Sequence, residues 1–326
     1  MNILLINFGG IGDEILFLPA IISLKKEFNA KITLALEPRS KSVKDLTDKI
    51  DELFLIDIKG KNKYFELLKL VFLARKGNFD MVISSGANKF ISILLFLTGI
   101  KKRYGYNTGS LSKLLLTKTV DLNKYQYACN MYHDLVSLVT DEKTDLPEIN
   151  IKVQEKIPNS VLVHPGVSQM SINKGIVKTI NPTVWADVIN LLIKHNKHVI
   201  LAGGPDDKDC IEEILNNIQP CDNFENYYSK TKNIKDLAEL IGKAEKFVCS
   251  DSAPLHIAVA LKTQTYPIFG PTDYERLIPK SKHVVPVLSN DDCPLKPCLW
   301  EKRLTTCSDL KCLRISAEDI VNTVLK

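Results

Sequence analysis

Between Lys246 and Thr272 the chain reads KFVCSDSAPLHIAVALKTQTYPIFGPT, and this stretch limits the possible folds more than any other. An apolar run, Phe247-Val248-Cys249, ends in the polar turn Ser250-Asp251-Ser252-Ala253-Pro254. A small-residue helix, Leu255–Leu261, follows, then a second apolar run closing on Gly270-Pro271-Thr272. The order is strand, loop, helix, strand, loop. In an open α/β sheet, loops at the carboxyl ends of neighbouring parallel strands form the ligand crevice. The helix start between them offers free N–H groups and a positive dipole end, which suit a phosphate.

The same alternation runs through the rest of the chain. Strands are expected at Asn2–Phe8, Lys31–Leu36, Leu53–Ile58 and Met81–Ser84. Helices are expected at Asp13–Phe28, Ser42–Lys49 and Tyr64–Lys76. After a polar segment with two prolines, Asp141–Pro158, the pattern restarts with strands Ser160–His164, His198–Ala202 and Lys246–Cys249. Helices Pro182–His195, Asp206–Asn217 and Ile234–Gly242 lie among them, and a last helix lies near Ala317–Leu325. Such βα alternation specifies parallel sheets with helices on both faces. The length of 326 residues fits two such domains.

Charge is unevenly placed. Residues 1–157 carry 23 Lys and Arg against 18 Asp and Glu, and the remainder is balanced. Solvated lysines account for this, as does an anionic partner or membrane surface. No basic stretch carries interleaved aromatics, which argues against nucleic acid. The N-terminus lacks a basic leader and runs straight into a strand, so a cytoplasmic location is expected. Phe90–Ile100 is too short to span a bilayer; it reads as a buried helix or as a segment resting on a membrane. Four of the eight cysteines form the spacing Cys293-x4-Cys298-x8-Cys307-x4-Cys312. Four thiolates so spaced suit one tetrahedral zinc ion; reduced thiols packing a loop, or disulfides, are the alternatives.

Four turns fall where ligands bind. Gly9-Gly10-Ile11-Gly12-Asp13 is not a dinucleotide fingerprint, because Ile15 occupies the third glycine position. Asp13 there is either a helix cap or a carboxylate base aimed into a cleft. The second turn is His164-Pro165-Gly166-Val167-Ser168, followed by Lys174, Lys178 and Trp185. The third, Gly203-Gly204-Pro205-Asp206-Asp207, offers a carboxylate for ribose hydroxyls or for capping. The fourth is Asp251–His256, where His256 falls in the first helical turn and reads as a positioning donor.

Together these turns resemble glycosyltransferase family 9, the ADP-heptose:lipopolysaccharide heptosyltransferases. Gly12-Asp13 with Pro19 and Leu24-Lys25 is similar to the family's opening motif. His164-Pro165-Gly166-x-Ser168 with Lys178 and Trp185, Gly203-Gly204-Pro205, Asp251–Ala258 and Phe269–Thr272 follow in family order. The chain departs from the pattern in two places. Ile180 stands where a tryptophan is expected, leaving both Lys174 and Lys178 as the lysine, and Asp206-Asp207 replaces a glutamate.

The resemblance implies a GT-B fold, two Rossmann-like α/β domains facing across a central cleft. Residues 1–155 would take the acceptor, and residues 156–326, with the cysteine-containing segment, the nucleotide-sugar donor. It further implies inverting, metal-independent transfer, most specifically of heptose from ADP-heptose to an anionic glycolipid or oligosaccharide core, with peripheral contact at the inner membrane. Asp13 would be the base, with Gly10 and Gly12 in the acceptor-side loop. Lys178 would stabilise the leaving diphosphate. His164, Gly166, Ser168, Gly204, Asp207, Asp251, Ser252, Ala253, His256 and Thr272 would line the donor site. Two other functions fit the same architecture: a nucleotide-sugar epimerase and a non-catalytic glycan-binding protein.

Overall fold

The computed structural model describes residues 1–301 and 305–326. Contacts divide the chain into two units, Met1–Asn150 and Ile151–Lys326. The division falls inside the polar, proline-containing segment 141–158.

Unit 1 contains β1 (Asn2–Ile6), α1 (Ile11–Phe28), β2 (Lys31–Leu36), β3 (Glu52–Leu55), α2 (Lys63–Lys76) and β4 (Met81–Ser84). It continues with α3 (Lys89–Leu97), β5 (Lys102–Tyr106), α4 (Ser110–Leu115), β6 (Lys118–Val120) and α5 (Ala128–Val136). The sheet order is β3-β2-β1-β4-β5-β6, every pairing parallel. Ile3, Leu4 and Leu5 on the central strand are fully buried, as the unbroken apolar run ILLI requires of a strand covered on both faces.

Unit 2 repeats the design with β7 (Ile157–His164), α6 (Gln169–Asn173), α7 (Pro182–Lys194), β8 (His198–Leu201), α8 (Lys208–Leu215) and β9 (Phe224–Asn226). Then follow α9 (Ile234–Lys243), β10 (Ala244–Ser250), α10 (Ala253–Leu261), β11 (Gln264–Phe269), α11 (Tyr274–Leu277), β12 (Val287–Leu288), α12 (Cys298–Glu301) and α13 (Ala317–Leu325). Its order is β12-β11-β10-β7-β8-β9, again all parallel. In chain order both sheets are therefore 3-2-1-4-5-6. In each, the first and fourth strands lie side by side and the winding reverses between them. That reversal opens a crevice at their carboxyl ends. In unit 1 it lies after β1 and β4; in unit 2, after β7 and β10. Trp185 on α7 is fully buried in the unit 2 core with Val161, Val163, Val248 and Ile268.

Three expected elements differ. The helix expected over Ser42–Lys49 is a 3-10 stretch at Pro38–Leu46, begun by Pro38 and rich in serine and charge, which disfavours a full α-helix. The strand expected to reach Ile58 stops at Leu55, because the Asp57 carboxylate accepts from Gly60 N–H at 2.8 Å and turns the chain. Phe90–Ile100 is not a wholly buried helix. α3 buries Ser92, Leu94 and Leu95 but exposes Phe90, Ile93, Phe96 and Leu97. Among the described residues, no helix is long and apolar enough to cross a membrane.

Candidate functional site

The carboxyl end of β1 leads through Asn7, Phe8 and Gly9 into Gly10, which caps α1. Gly12 and Asp13 lie inside the first turn of that helix, so Gly12 is helical and not part of the loop. Asp13 does not occupy the cap position. Its Oδ2 reaches back one turn and accepts from Gly10 N–H at 2.7 Å. A side chain at Gly9 would collide with it, since a Cβ there would stand 2.2 Å from the Asp13 Cβ. Asp13 is held in one orientation and is still exposed.

Behind it lies a polar network that the sequence did not reveal. Glu14, the next residue, is completely buried, and its Oε2 accepts from Asn7 Nδ2 at 3.0 Å. Asn7 Oδ1 in turn accepts from Ser85 Oγ, tying the end of β1 to the end of β4 across the crevice. Burial pushes the Glu14 carboxyl well above the usual range; Asn7 opposes this and the Asp13 charge adds to it. Burial thus favours the neutral form of Glu14, next to the exposed Asp13. Arg39 and Ser40 approach from the other side, donating to Gly9 carbonyl at 3.4 and 3.0 Å. The only sequence signal for this network is an acidic residue leading an otherwise apolar helix.

In unit 2 the crevice is built by the ends of β7 and β10. Asp251, just past β10, is buried, and its Oδ2 receives the Lys178 ammonium at 3.0 Å and the Thr272 hydroxyl at 2.7 Å. Burial alone would raise this carboxyl. The Lys178 charge, the two hydrogen bonds and the His256 ring outweigh burial and hold Asp251 below the usual range. Lys174, by contrast, caps the end of α6 and is exposed. Of the two candidate lysines, Lys178 is the one brought to Asp251.

A second knot fixes Lys178. The Thr179 and Ser250 hydroxyls lie 2.8 and 2.7 Å from Pro165 carbonyl and 2.8 Å from each other. Trp185 Nε1–H donates to Thr179 Oγ1 at 3.0 Å. The roles of Thr179 and Ser250 were also not evident in the sequence, because their partners lie up to 85 residues away.

α10 starts next to Asp251. Ser252 caps it and Pro254 stands in its first turn, yet the Ser252 hydroxyl does not bond to the helix. That oxygen is buried and has no hydrogen-bond partner among the described residues. Ala253 opens the helix, and His256 is buried one turn further on. The site thus offers a lysine, the positive dipole end of α10 and an unused hydroxyl, the equipment of an anion site, although Pro254 has no N–H and Leu255 N–H already donates to Ser252 carbonyl at 3.1 Å.

The remaining candidates surround β7 and β8. His164 ends β7, and its Nε2 lies 4.0 Å from Asp207 Oδ2. Asp207 Oδ2 accepts from Gly204 N–H at 2.7 Å. Burial raises the Asp207 carboxyl and lowers the His164 ring, so each is discouraged from carrying charge. Gly166 allows this approach, because a Cβ there would sit 2.1 Å from the Asp207 carboxyl atoms. Ser168 caps α6, accepting from Ser171 N–H. A cavity of about 230 Å³ opens here, lined by Gly166, Lys178, Thr179, Asp206 and Asp207. A larger one, about 500 Å³, lies among Met1, Lys102 and Lys118, at the amino ends of the unit 1 strands and away from either crevice.

The four clustered cysteines lie near one another at the end of unit 2. Among the described residues no three His, Cys, Asp or Glu side chains stand where one ion could bridge them, and no disulfide links the cysteines. Cys312 is buried and its thiol is pushed up to about 11, with Cys293, Cys298 and Cys307 near enough to add to the shift. The segment instead braces the lysine loop. Thr306 N–H donates to Gly175 carbonyl at 3.1 Å, and Thr306 Oγ1 accepts from Val177 N–H at 3.2 Å.

The family model described as glycosyltransferase family 9 (heptosyltransferase) matches residues 69–306. Lipopolysaccharide heptosyltransferase 3 of Escherichia coli is 26% identical over 302 residues, covering 86% of each chain. The solved structure of a glycosyl transferase family 9 protein from Veillonella parvula superimposes with a TM-score of 0.76 at 19% identity, over 98% of this chain and 95% of that one. The E. coli ADP-heptose lps heptosyltransferase II gives 0.74 at 17% identity, over 100% and 98%.

Proposed function

The chain belongs to glycosyltransferase family 9, and on that premise we propose that this glycosyltransferase moves heptose from ADP-heptose to a lipopolysaccharide or lipooligosaccharide core, inverting the anomeric centre without a metal. The names of its relatives support the sugar and the acceptor. The observation that carries the reading is the Lys178–Asp251–Thr272 cluster beside the start of α10. A diphosphate seated there meets the Lys178 ammonium, the positive dipole end of α10 and the Ser252 hydroxyl. Asp251 holds the lysine in place until the anion arrives.

The reaction divides between the units. In unit 1, Asp13 takes the proton of an acceptor hydroxyl. The freed oxygen attacks the anomeric carbon from the face opposite the diphosphate. The bond from that carbon to the diphosphate oxygen breaks, and its electron pair leaves with ADP. Lys178 and the amino end of α10 stabilise that charge as it develops, the role that fixed charges and dipoles perform best in a dry site. His164, Gly166, Ser168, Ala253, His256 and Thr272 form the walls of the donor site, and Gly204 and Asp207 lie toward the ribose. The acceptor is an anionic lipid-borne glycan, met at the cytoplasmic face of the inner membrane.

The test is a nucleotide screen followed by transfer. Bound ligand raises apparent stability, so ADP should raise Tm more than GDP, UDP or CMP. ADP-heptose and a heptose-deficient core should then give product of inverted configuration in the presence of EDTA. Selective stabilisation by GDP or UDP would overturn the donor, and loss of transfer in EDTA would overturn metal independence. A new nucleotide sugar formed without acceptor would reveal an epimerase.

A further inference from the structure

Three consecutive helices of unit 1 expose apolar side chains that none of the described residues covers. On α2 these are Tyr64, Phe65, Leu68 and Phe72; on α3, Phe90, Phe96 and Leu97; on α4, Leu111 and Leu114. Phe65 is 73% exposed, Phe72 66%, Phe90 78% and Leu114 79%. α2 packs beside α3 and α3 beside α4, so the three form one face. Scattered exposed apolar residues are normal on a protein surface, but a contiguous group of this kind marks an interaction site.

The charge around this face is equally biased. Residues 61–118 hold eleven Lys and Arg against two acids, Glu66 and Asp80. One of the acids, Glu66, is paired with Lys69 at 3.1 Å. The whole basic excess of the first 157 residues is therefore concentrated in the segment that carries the exposed aromatics. Cation and ring also meet directly. Lys63 Nζ lies 4.9 Å from the Tyr64 ring, and the Arg103 guanidinium 5.4 Å from that of Phe96. Lys101 and Lys102 stand exposed just beyond α3.

We propose that the α2–α3–α4 face is a membrane-docking surface that seats unit 1 on a bilayer rich in anionic lipid. Aromatic and leucine side chains entering the headgroup boundary, ringed by Lys and Arg, are what an interfacial surface needs. The anionic leaflet attracts each nearby base, and the attraction fades within a Debye length. A second copy of the chain is a poorer occupant, because joining two such faces would oppose like charges. Nucleic acid would satisfy the bases but leave Leu68, Leu97 and Leu114 without a use. The proposal extends the one above, in which the acceptor is lipid-borne, but does not need it to be correct.

Co-sedimentation of the full chain with vesicles tests it, with no donor or acceptor present, so its failure and that of the glycosyl-transfer reading are separable. The protein should pellet with phosphatidylglycerol/phosphatidylethanolamine vesicles and not with phosphatidylcholine vesicles, and high salt should weaken binding. The combined variant Phe72→Ser, Phe90→Ser, Leu114→Ser should lose about tenfold or more in partitioning while keeping its Tm, because these side chains are exposed. Lys101→Glu with Lys102→Glu should also lose binding, and Leu295→Ser, an exposed apolar site in unit 2, should not. No pelleting by the wild type, or equal pelleting by the triple variant, overturns the proposal. So does a dimer in analytical ultracentrifugation that the triple variant dissolves, or retention on DNA in place of vesicles.

Discussion

Two turns in this protein share one local design and differ in what surrounds them. In unit 1, Gly10 caps a helix and donates its N–H to Asp13 three residues on; in unit 2, Gly204 does the same for Asp207, and both bonds are 2.7 Å long. The capping glycines adopt nearly the same backbone, φ/ψ −83/178° and −90/178°. Each aspartate also packs against a further glycine, Gly9 or Gly166, at a point where no Cβ fits. Yet Asp13 is exposed and Asp207 is buried beside His164. The local motif sets the orientation of the carboxylate. Its burial, decided by the rest of the unit, sets its chemistry: an exposed and oriented carboxylate can exchange a proton with a substrate, and a buried one serves as a strut.

The substitution that tests this contrast most strongly is Asp13→Asn. It keeps an oxygen to accept from Gly10 but removes the base, so kcat should fall by about 10² to 10⁴-fold, with ADP affinity and Tm retained. Asp207→Asn, made at the equivalent turn, should leave kcat within about tenfold and act on donor affinity instead. Equal losses of kcat in steady-state assays would break the contrast and remove Asp13 from the chemistry.

The glycines separate the turns by a smaller effect. Gly9→Ala and Gly166→Ala each force a Cβ to within 2.2 and 2.1 Å of the neighbouring aspartate. Either should cost about 1–3 kcal/mol of stability as an overpacked site. Calorimetry should find both, but Gly9→Ala should lower kcat with ADP binding unchanged, and Gly166→Ala should weaken ADP binding. The reverse pattern would mean that the two turns have been assigned to the wrong substrates.

How much of this was legible depended on how far along the chain each determinant lies. The βα alternation, the two sheet-end crevices and the glycine-aspartate turns are local and could be read directly. The choice between Lys174 and Lys178 was not local. It is made by Thr179, Ser250 and Trp185, which meet only when β7 and β10 pair. Glu14 drew no attention in the sequence, because its burial depends on β4 lying beside β1. FISILLFLTGI is apolar almost throughout, so nothing in it showed which side would face the sheet. The cysteines were legible only as a spacing, and among the described residues no three of them stand where one ion could bridge them.

The third effect concerns the support of Lys178. Thr179→Val keeps the shape but leaves the buried Trp185 Nε1–H without its acceptor and Ser250 with one partner fewer. Unfolding measurements should show a loss of about 1–3 kcal/mol, the cost of a stranded polar group. ADP affinity should also fall as Lys178 loosens, while Asp13 is untouched. Unchanged ADP affinity in a destabilised protein would confine the knot to a structural role.

The smallest effect is a change of slope, and it bears on why the Asp13 turn has a second carboxyl behind it. Burial holds the Glu14 pKa well above its unfolded value, so in the window between the two the native chain binds one proton more than the unfolded chain. Stability contributed by the neutral acid is fully present below the unfolded value and is lost as pH rises toward the folded one. Glu14→Gln keeps a neutral group that can still face Asn7 and removes the titration. Wild-type Tm should fall from mildly acidic toward alkaline pH more steeply than that of the variant, the curves diverging upward from the ordinary carboxylate range. Parallel curves would mean that Glu14 is ionised in the native protein. In that case Asp13 stands beside a second negative charge, and the contrast between an exposed working carboxylate and its buried neighbours would need a different origin.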